Sequence, residues 1–554
     1  MVSSFASSSR SQGLDVESRE MVVEIIRRLK KKLLTKEKIL ELDKNEIFPE
    51  EIIRQMMGPE IGLHLLFIPE EFGGMGGGAR DCCAVIQEMC KICIGVGTAF
   101  FAIQLGSDPI IVGATKKQKE KWLSIIAEGN SLVAYAVTEA EAGSNLASLK
   151  TRAEPIVDDN GNIISYKING TKQFISTGGY ADFVTVLATT PKGPAFFIVE
   201  KGIKGFEQGK SEEKHGIRAS NTSPLSFSDV IIPADQLIGE VPGQGLKQAN
   251  KVFGYTRLMV ASMALGGGQA ALEIAISYAK ERIQFGTPLS AKQGYTHKLI
   301  IPHIVKIAAA EAYIDKIGLK LDETGEDFQV EGSIAKLFAT EAANLAADAA
   351  IQALGGYGYI HEYQVEKIKR DVRITSIYEG TSEIQQNIIS TFRWKKTRKT
   401  KGGFYEELAV QMENLADANF EIGAKYLALT ARALNRTITL AHENRLTRKQ
   451  YVMFLLADMI TFLEIGAGLA EKAQTLAKTG DPEAEKFCAM SRIFSNDVAQ
   501  LVCQNITKII FGSAIFKTRD AMKFLETISY SEMIQSCQNL IKDMDLVSKF
   551  IFED

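Results

Sequence analysis

Two short turns in the chain place hydroxyl groups beside glycines, a combination that can bind a flat ring or a phosphate. The first, 138–145, reads Thr-Glu-Ala-Glu-Ala-Gly-Ser-Asn and follows the apolar run 133–137, and the second, 174–179, reads Phe-Ile-Ser-Thr-Gly-Gly. Hydroxyls and backbone N–H groups at such turns donate hydrogen bonds, and Phe174 could stack on a ring. An ordinary loop would look similar at either place. Together the turns predict two sides of a pocket for a flat cofactor.

A third cluster, 282–293, combines a guanidinium, an aromatic ring and amides. The fork of Arg282 suits a pyrophosphate, while Phe285 could pack against an adenine or fill the core. Glycines 266–268 fit a dinucleotide-binding pattern, but a helical pattern precedes them and no acidic residue ends a second strand about 20 residues later. We therefore interpret these glycines as positions of close helix packing or of approach to a ligand.

Composition limits the classes of partner. The 554 residues include 64 Lys and Arg against 67 Asp and Glu, with 45% hydrophobic residues, which is typical of a globular enzyme and not of a nucleic-acid-binding protein. The seven cysteines are an odd number scattered through apolar sequence, so we expect a reducing compartment, cytoplasmic or, in a eukaryote, the mitochondrial matrix. Cys90 and Cys93 lack a second Cys/His pair at zinc-ligand spacing, so no metal site is predicted.

The elements that must position these clusters follow from periodicity. Helical spacing predicts an N-terminal helical domain over 16–130 after a disordered tail at 1–15, and short apolar runs predict a β-domain over 131–242 with a hairpin turn at 158–161. Helical spacing returns over 243–393, and a basic, glycine-ended linker over 394–403 precedes a C-terminal helical domain, 404–554.

The most specific stretch begins at Gln352 and carries three motifs in order. These are Gly-Gly-Tyr-Gly at 355–358, Glu-Lys-Ile-Lys-Arg-Asp at 366–371 and Tyr-Glu-Gly-Thr at 378–381. With Pro-Glu-Glu-Phe-Gly-Gly at 69–74 and the clusters above, the chain resembles the acyl-CoA dehydrogenase family from about residue 16 to 393. The resemblance implies a mainly α fold with a β-barrel middle domain, enclosing FAD and an acyl-CoA thioester.

The resemblance assigns roles to individual residues. Glu379 is implied as the general base that removes the α-proton while the β-hydride passes to flavin N5, giving the trans-2-enoyl-CoA; desolvation strengthens such a carboxylate as a base. The implied FAD contacts are Thr138, Ser144, Phe174, Ser176, Arg282, Phe285, Gln352, Gly356 and Thr381, with the Arg282 cluster reaching a flavin of the neighbouring subunit. The implied substrate contacts are Ser144, Gly97, Phe101, Arg257, Tyr378 and Gly380.

Some relatives place the base on an earlier helix, but 253–257 reads Phe-Gly-Tyr-Thr-Arg and contains no carboxylate. Phe174, Ser176 and Asn145 stand where Trp, Thr and Asp are common in the family, and the last change removes a charge from the CoA end. Gly97 stands where medium-chain relatives carry Gln and predicts room for a longer or bulkier acyl group, although Phe100 and Phe101 could close that space.

The resemblance also implies partners. The extra residues after Gly403 resemble the appended domain of the very-long-chain branch, whose members tend to be homodimers and use that domain for peripheral membrane association; the apolar stripes are more often core. Electron-transfer flavoprotein is the implied electron acceptor. Two alternatives stay open: an acyl-CoA oxidase that uses oxygen, and a catalytically silent acyl-CoA-binding or assembly protein.

Overall fold

The computed structural model describes residues 13–326, 328–416 and 421–553, so the tail predicted at 1–15 lies outside the described residues except for its last three. The chain forms two compact units. Unit one comprises Met1–Gly267, Gly318–Gln329 and Arg370–Thr375, and unit two comprises Gly268–Ile317, Val330–Lys369 and Ser376–Asp554.

Six helices form the first part of unit one, within the predicted helical segment 16–130. Side chains cap the starts of the first and the last of them, since the Asp15 carboxylate accepts a hydrogen bond from Ser18 N (2.8 Å) and Thr115 and Gln118 form a capping box. Their bounds are α1 (Val16–Lys32), α2 (Lys36–Lys44), α3 (Glu50–Met57), α4 (Ala79–Ile92), α5 (Ile94–Gly113) and α6 (Lys116–Ala127).

Seven strands of unit one form a single sheet where the β-domain was predicted. They are β1 (Val133–Ala136), β2 (Arg152–Val157), β3 (Ile163–Ser176), β4 (Phe183–Thr190), β5 (Gly193–Glu200), β6 (Phe206–Gln208) and β7 (Thr222–Pro233). The hydrogen-bonded order is β1-β4-β2-β3-β7-β6, with β5 paired to β4. This is the sheet that the resemblance implied as a β-barrel. Its order of hydrogen-bonded strands ends at β1 on one side and at β6 on the other. Strands β1 and β4 are parallel, whereas the long β3–β7 pair is antiparallel.

The hairpin predicted at 158–161 joins β2 to β3. The Asp158 carboxylate accepts hydrogen bonds from the backbone of Asn160 (2.9 Å) and Asn162 (2.8 Å), and Gly161 takes the left-handed conformation with φ 82°. The turn therefore uses the chemistry that its sequence predicted.

A long helix, α7 (Gly245–Glu281), supplies residues to both units, and the remaining elements belong mainly to unit two. They are β8 (Ile283–Gln284), β9 (Thr287–Pro288), α8 (Gln293–Leu299), α9 (Ile301–Thr324), α10 (Gln329–Leu354), α11 (Val365–Arg373), α12 (Ser382–Lys399), α13 (Gly403–Ala416), α14 (Ala424–Glu443), α15 (Gln450–Thr479), α16 (Ala484–Gly512), α17 (Thr518–Thr527), α18 (Tyr530–Ile534) and α19 (Leu540–Phe552).

The core of unit two joins helices that were assigned to two domains from the sequence. Phe338 of α10 meets Phe462 of α15 and Phe494 of α16 edge to face, with ring centroids 5.2 Å and 5.4 Å away, and the last two rings stack at 5.8 Å. Such aromatic contacts add to the free energy of burial. The segments 243–393 and 404–554 thus share a core within this unit.

The basic segment 394–403, expected as a linker, differs in the structure, because 394–399 are the last turns of α12. Arg393 explains why the helix continues: its side chain is 5% exposed, and its guanidinium makes two hydrogen bonds to Glu464 and one to Glu331, each 2.7 Å. These partners lie 71 and 62 residues away in the sequence. The basic residues of 394–403 therefore give no sign of these partners in the sequence.

Among the residues that the structure describes, three helices, α5, α7 and α15, are long and apolar enough to cross a membrane by length and composition alone. Their most apolar windows are 94%, 78% and 78% buried inside the protein, respectively. A helix that is apolar on all sides is also expected in the core of a large protein.

Candidate functional site

The turn between α11 and α12 carries the predicted base. Glu379 is half-buried and has φ 55°, and Gly380 follows with φ 92°. A left-handed conformation is costly for a residue with a Cβ and persists where the surroundings impose it. The backbone therefore sets the direction of the Glu379 side chain.

Two buried side chains bind the carbonyl groups of this turn. Gln385 Nε2 donates hydrogen bonds to the carbonyl oxygens of Glu379 (3.0 Å) and Gly380 (2.9 Å), and Lys336 Nζ donates to that of Gly380 (2.7 Å). A Cβ at Gly380 would lie 2.7 Å from Gln385 Nε2, so this contact needs glycine. Sequence reasoning missed both donors, although a lone lysine within the apolar run 334–338 was the available signal.

The other residues predicted at this turn frame the base. Thr381 caps α12, with its hydroxyl oxygen accepting a hydrogen bond from Ile384 N (3.4 Å), and Tyr378 is half-buried. The Thr381 hydroxyl hydrogen can still be donated to a ligand.

The two hydroxyl-bearing turns of unit one lie side by side at the ends of β1 and β3. Gln173 N donates to the carbonyl oxygen of Thr138 (2.9 Å), which brings the Thr138 turn against the segment that holds Phe174 and Ser176. Phe174 is 62% exposed and has φ 60°, while the hydroxyls of Thr138 and Ser176 belong to half-buried residues. An exposed ring in a costly conformation beside two hydroxyls fits the face and edge of a flat heteroaromatic cofactor.

A buried ion pair that the sequence did not reveal fixes these turns. Lys172 Nζ donates to Glu139 Oε1 (2.7 Å) and to the carbonyl oxygen of Val137 (2.9 Å), and Glu139 also accepts hydrogen bonds from the backbone N–H groups of Lys150 and Thr151. Lys172 is fully buried, and Glu139 is 7% exposed.

The electrostatics of this pair follow from burial and hydrogen bonding. Burial lowers the pKa of Lys172 to about 8, against the opposing effect of Glu139. Burial by itself would raise the pKa of Glu139, but the hydrogen bonds from Lys172 and Thr151 outweigh it, and the pKa lies below its ordinary value. Both groups are therefore charged at pH 7.

The CoA-side residues Ser144 and Asn145 are exposed. The Asn145 side chain bonds within its own loop, accepting from Ala147 N (3.3 Å) and donating to Ser148 Oγ (2.5 Å). Arg257, predicted at the same end of the substrate, is buried on α7, with its guanidinium carbon 6.0 Å from the centroid of the Phe253 ring.

The space that a side chain at position 97 would enter is filled by Cys90, so Gly97 has a packing role besides the substrate role predicted for it. A Cβ at position 97 would lie 2.6 Å from Cys90 Sγ of α4, so Gly97 allows α4 and α5 to approach each other. Phe101 is 7% exposed, and its ring centroid lies 5.6 Å from those of both Phe67 and Phe100. Nearby, Thr177 donates to the carbonyl oxygen of Ala99 (3.4 Å), which joins α5 to the Phe174 turn.

The residues predicted to contact a neighbouring subunit's cofactor are exposed in unit two. Phe285 is 95% exposed with φ 51° between β8 and β9, and Arg282 lies with its guanidinium carbon 6.0 Å from the Tyr357 ring centroid. Gln352 is exposed, and a Cβ at Gly356 would meet open space. This part of the predicted site is open for a ligand or a second chain.

Two residues of the 366–371 motif bind other side chains and backbone groups of unit one. Arg370 forms a fork on the Asp43 carboxylate (3.2 Å and 2.7 Å), and the buried Asp371 accepts a hydrogen bond from Ile217 N (2.6 Å). Glycines 266–268, set aside as a dinucleotide loop, lie inside α7, where a Cβ at Gly266 would come within 2.3 Å of the carbonyl oxygen of Gln87.

Within each unit the structure groups the predicted residues. Unit one holds Gly97, Phe101, Thr138, Ser144, Phe174, Ser176 and Arg257, and unit two holds Arg282, Phe285, Gln352, Gly356, Tyr378, Glu379, Gly380 and Thr381.

Three family models match the chain. The models for the N-terminal, middle and C-terminal domains of acyl-CoA dehydrogenases match 16–130, 134–230 and 243–392, and the C-terminal-domain model also matches 408–527. The helices that follow α12 are therefore described by the same family model as the bundle before them.

Individual relatives cover about two thirds of the chain. The acryloyl-CoA reductase (NADH) of Anaerotignum propionicum is 39% identical over 63% of this chain and 88% of that protein, and the subunit CarC of the caffeyl-CoA reductase-Etf complex of Acetobacterium woodii is 34% identical over 69% and 99%. The butyryl-CoA dehydrogenase structure from Megasphaera elsdenii is 34% identical, with a TM-score of 0.64 over 68% of this chain and 98% of that one.

An acyl-CoA dehydrogenase complexed with FAD from Bacillus anthracis shares the fold over the full length. Its TM-score is 0.83 over 98% of this chain and 97% of that one, at 23% identity. The fold and the hydroxyl-and-aromatic turns define an FAD-dependent oxidoreductase. The chain belongs to the acyl-CoA dehydrogenase family.

Proposed function

We propose that the chain dehydrogenates an acyl-CoA thioester to the trans-2-enoyl-CoA, with Glu379 as the base. The α-proton is transferred to the Glu379 carboxylate, and the β-hydrogen leaves as a hydride. FAD, when bound, supplies the N5 atom that accepts this hydride. Thr138, Phe174 and Ser176 would hold its ring, and Arg282, Phe285, Gln352 and Gly356 would hold the adenosine end of a partner's cofactor.

The observation that carries the proposal is the half-buried Glu379 on a turn whose carbonyls are held by Gln385 and Lys336. A bound acyl chain would remove the remaining water from the carboxylate, which makes it a stronger base. The backbone N–H of Glu379 would donate to the thioester carbonyl, where negative charge develops as the α-proton leaves.

Anaerobic titration of the yellow protein with acyl-CoAs tests this assignment. We expect the flavin absorbance to bleach with the substrate, and Glu379→Gln to bind the same thioesters while bleaching slows by roughly 10²- to 10⁴-fold. Glu383→Gln, an exposed glutamate on the first turn of α12, is the matched control and should bleach normally. Normal turnover by Glu379→Gln would remove Glu379 from this role.

The length of the acyl chain can be identified with a panel of acyl-CoA substrates. The sequence favoured a medium-to-long or bulky chain and the very-long-chain branch, whereas Cys90 fills the space beside Gly97 and two relatives are named for acryloyl-CoA and butyryl-CoA. We therefore favour a short acyl group. Butyryl-CoA, octanoyl-CoA and palmitoyl-CoA should bleach the flavin with falling rates in that order, and a faster reaction with palmitoyl-CoA would restore the sequence-based preference.

Electron-transfer flavoprotein is the proposed redox partner, supported by the relative named as part of an Etf complex. Hydrogen peroxide release under air, measured with and without this acceptor, separates a dehydrogenase from an oxidase. Because two relatives are named reductases, the reverse reaction, in which an enoyl-CoA accepts a hydride and Glu379 returns the proton, is the second candidate. Steady-state rates with acyl-CoA and enoyl-CoA would decide the working direction.

We also propose a homodimer, in which the exposed Arg282 and Phe285 reach the cofactor of the other subunit. Sedimentation of the FAD-loaded protein would give the mass of the assembly. Peripheral membrane association remains a prediction from the resemblance of the C-terminal domain, and co-sedimentation with vesicles would test it.

A further inference from the structure

The turn at Glu379 is held by donors from two helices. Gln385 lies on α12, which follows the turn directly, whereas Lys336 lies on α10, more than 40 residues earlier. Gln385 donates to the carbonyl oxygens of residues 379 and 380, and Lys336 donates to that of residue 380. The backbone that carries the base is therefore fixed from two directions by side chains.

Both donors are fully buried. A buried ammonium is expensive unless it is hydrogen-bonded, and lysine is rarely fully buried without a partner. The neighbouring positions of α10, Ala335 and Leu337, show that apolar residues fill this part of the helix. The hydrogen bond to the Gly380 carbonyl offsets part of the cost of burying this cation.

These donors help to hold a turn whose backbone conformation is costly. Glu379 and Gly380 have φ 55° and 92°, and an L-residue leaves the left-handed region readily when nothing imposes it. The backbone of Glu379 carries both the carboxylate side chain and the N–H group that we assign to the thioester carbonyl. Any change in this backbone moves the two groups together.

We propose that Lys336 and Gln385 are positioning residues, which hold the carbonyls of Glu379 and Gly380 so that the carboxylate and the N–H of Glu379 face the thioester. They act on the substrate only through the backbone of the turn. The inference rests on the proposed role of Glu379 as the base.

Substitution by methionine removes each donor while keeping a long side chain. For Gln385→Met and Lys336→Met in the FAD-loaded protein, we expect kcat to fall roughly ten- to hundredfold, because misplacement of a reacting group by about 1 Å has this effect. The dissociation constant for acyl-CoA should change less than about threefold, since the binding groups stay. With α-deuterated acyl-CoA the isotope effect on kcat should rise, because proton removal becomes the slow step.

Matched controls come from the same helices and neighbourhood. Gln386→Met removes an amide that bonds Asp458 (2.7 Å) from the residue next to Gln385, and Lys369→Met removes a lysine that donates to the carbonyl oxygen of Asn344 (2.9 Å). Both controls should leave kcat and the isotope effect at wild-type values. If Lys336→Met does not fold, Gln385→Met alone decides, since it removes an amide and no charge.

These measurements distinguish a failure of the positioning role from a failure of Glu379 as the base. Wild-type kcat and isotope effect in Gln385→Met, with Glu379→Gln inactive, would overturn the positioning role alone. A loss of bound FAD and of melting temperature without a change in the isotope effect would show a merely structural role and overturn it as well. Normal turnover by Glu379→Gln would instead overturn the assignment of the base.

Discussion

The buried pair of Lys172 and Glu139 fixes two turns that come from different strands. Each turn brings hydroxyl groups to the side proposed for the cofactor. The Phe174 turn is joined to α5 through Thr177. The Thr138 turn is held by the ion pair and by the hydrogen bonds that the backbone N–H groups of Lys150 and Thr151 donate to Glu139. The position of Phe174, two residues from Lys172, follows from this arrangement.

Replacement of Glu139 by Gln should destabilise the fold in a pH-dependent way. A carboxylate whose pKa is lowered by folding contributes stability above its unfolded pKa of about 4.3, and this contribution is lost as the pH falls through the folded value. We expect a loss of about 3–5 kcal/mol in the free energy of unfolding at pH 7, because Lys172 is left buried without its carboxylate. Urea unfolding should show this difference shrinking below about pH 4.

The double variant Glu139→Gln/Lys172→Met is the control for that prediction. Removing both charges should recover much of the stability, since an apolar pair avoids the desolvation cost. A Glu139→Gln protein as stable as the wild type at pH 7 would contradict the role of the pair.

Gly97→Ala tests the packing role of that glycine. The new methyl group would meet Cys90 Sγ at 2.6 Å, and overpacking of a buried site costs about 1–3 kcal/mol. The double variant Gly97→Ala/Cys90→Ala should recover most of the loss in a urea unfolding experiment. An unchanged free energy of unfolding in Gly97→Ala would mean that the space beside residue 97 is open after all.

At the scale of secondary-structure elements, helix α12 combines two tasks. Its first turn follows the Glu379 turn, and its last part carries Arg393, which is bonded to Glu331 of α10 and Glu464 of α15. The helix is thus held at both ends by groups far away in the sequence.

Arg393→Met should therefore cost about 3–5 kcal/mol in the free energy of unfolding, because the carboxylates of Glu331 and Glu464 lose their buried cation. Arg398→Met, an exposed residue on the last turn of the same helix, should change it by less than about 0.5 kcal/mol. Equal effects of the two substitutions would contradict the importance of the buried cluster.

The elements also show what sequence patterns can and cannot predict. The hairpin at 158–161 and the start of α6 were predictable, because Asn-Gly and the Thr115–Gln118 capping box act locally. Strands β2 and β6 carry no apolar run that would predict them. Strand β2 contains Pro155 and charged residues and gains its place by pairing with β3, and β6 has only three residues. Lys336, Lys172 and Arg393 could not be assigned, because their partners are distant in the chain.

At the scale of the whole chain, the C-terminal helices are part of unit two and not an appendage to it. Phe462 and Phe494 cover Phe338, and Lys316 pairs with Glu471 at 2.6 Å. The domain model that matches both helical segments, and the full-length fold of the Bacillus anthracis protein, agree with this integration.

A chain that ends at residue 403 should therefore fail to remain soluble as a folded protein. It would expose Phe338 and leave Arg393 without Glu464, so we expect aggregation in size-exclusion chromatography. The same truncation with Phe338→Ser and Arg393→Gln should elute with less aggregate. A monodisperse truncated protein that still binds acyl-CoA would show that the first helical segment is self-sufficient.

The hydrogen bonds that hold the turn at 379 are accepted by main-chain oxygen atoms, which every amino acid possesses. Nothing in these hydrogen bonds depends on what residue 379 carries beyond its Cα. A carboxylate could be lost there, or supplied from another helix, while the loop kept its form. The catalytic carboxylate could therefore move to another position during evolution at little cost to the stability of the fold.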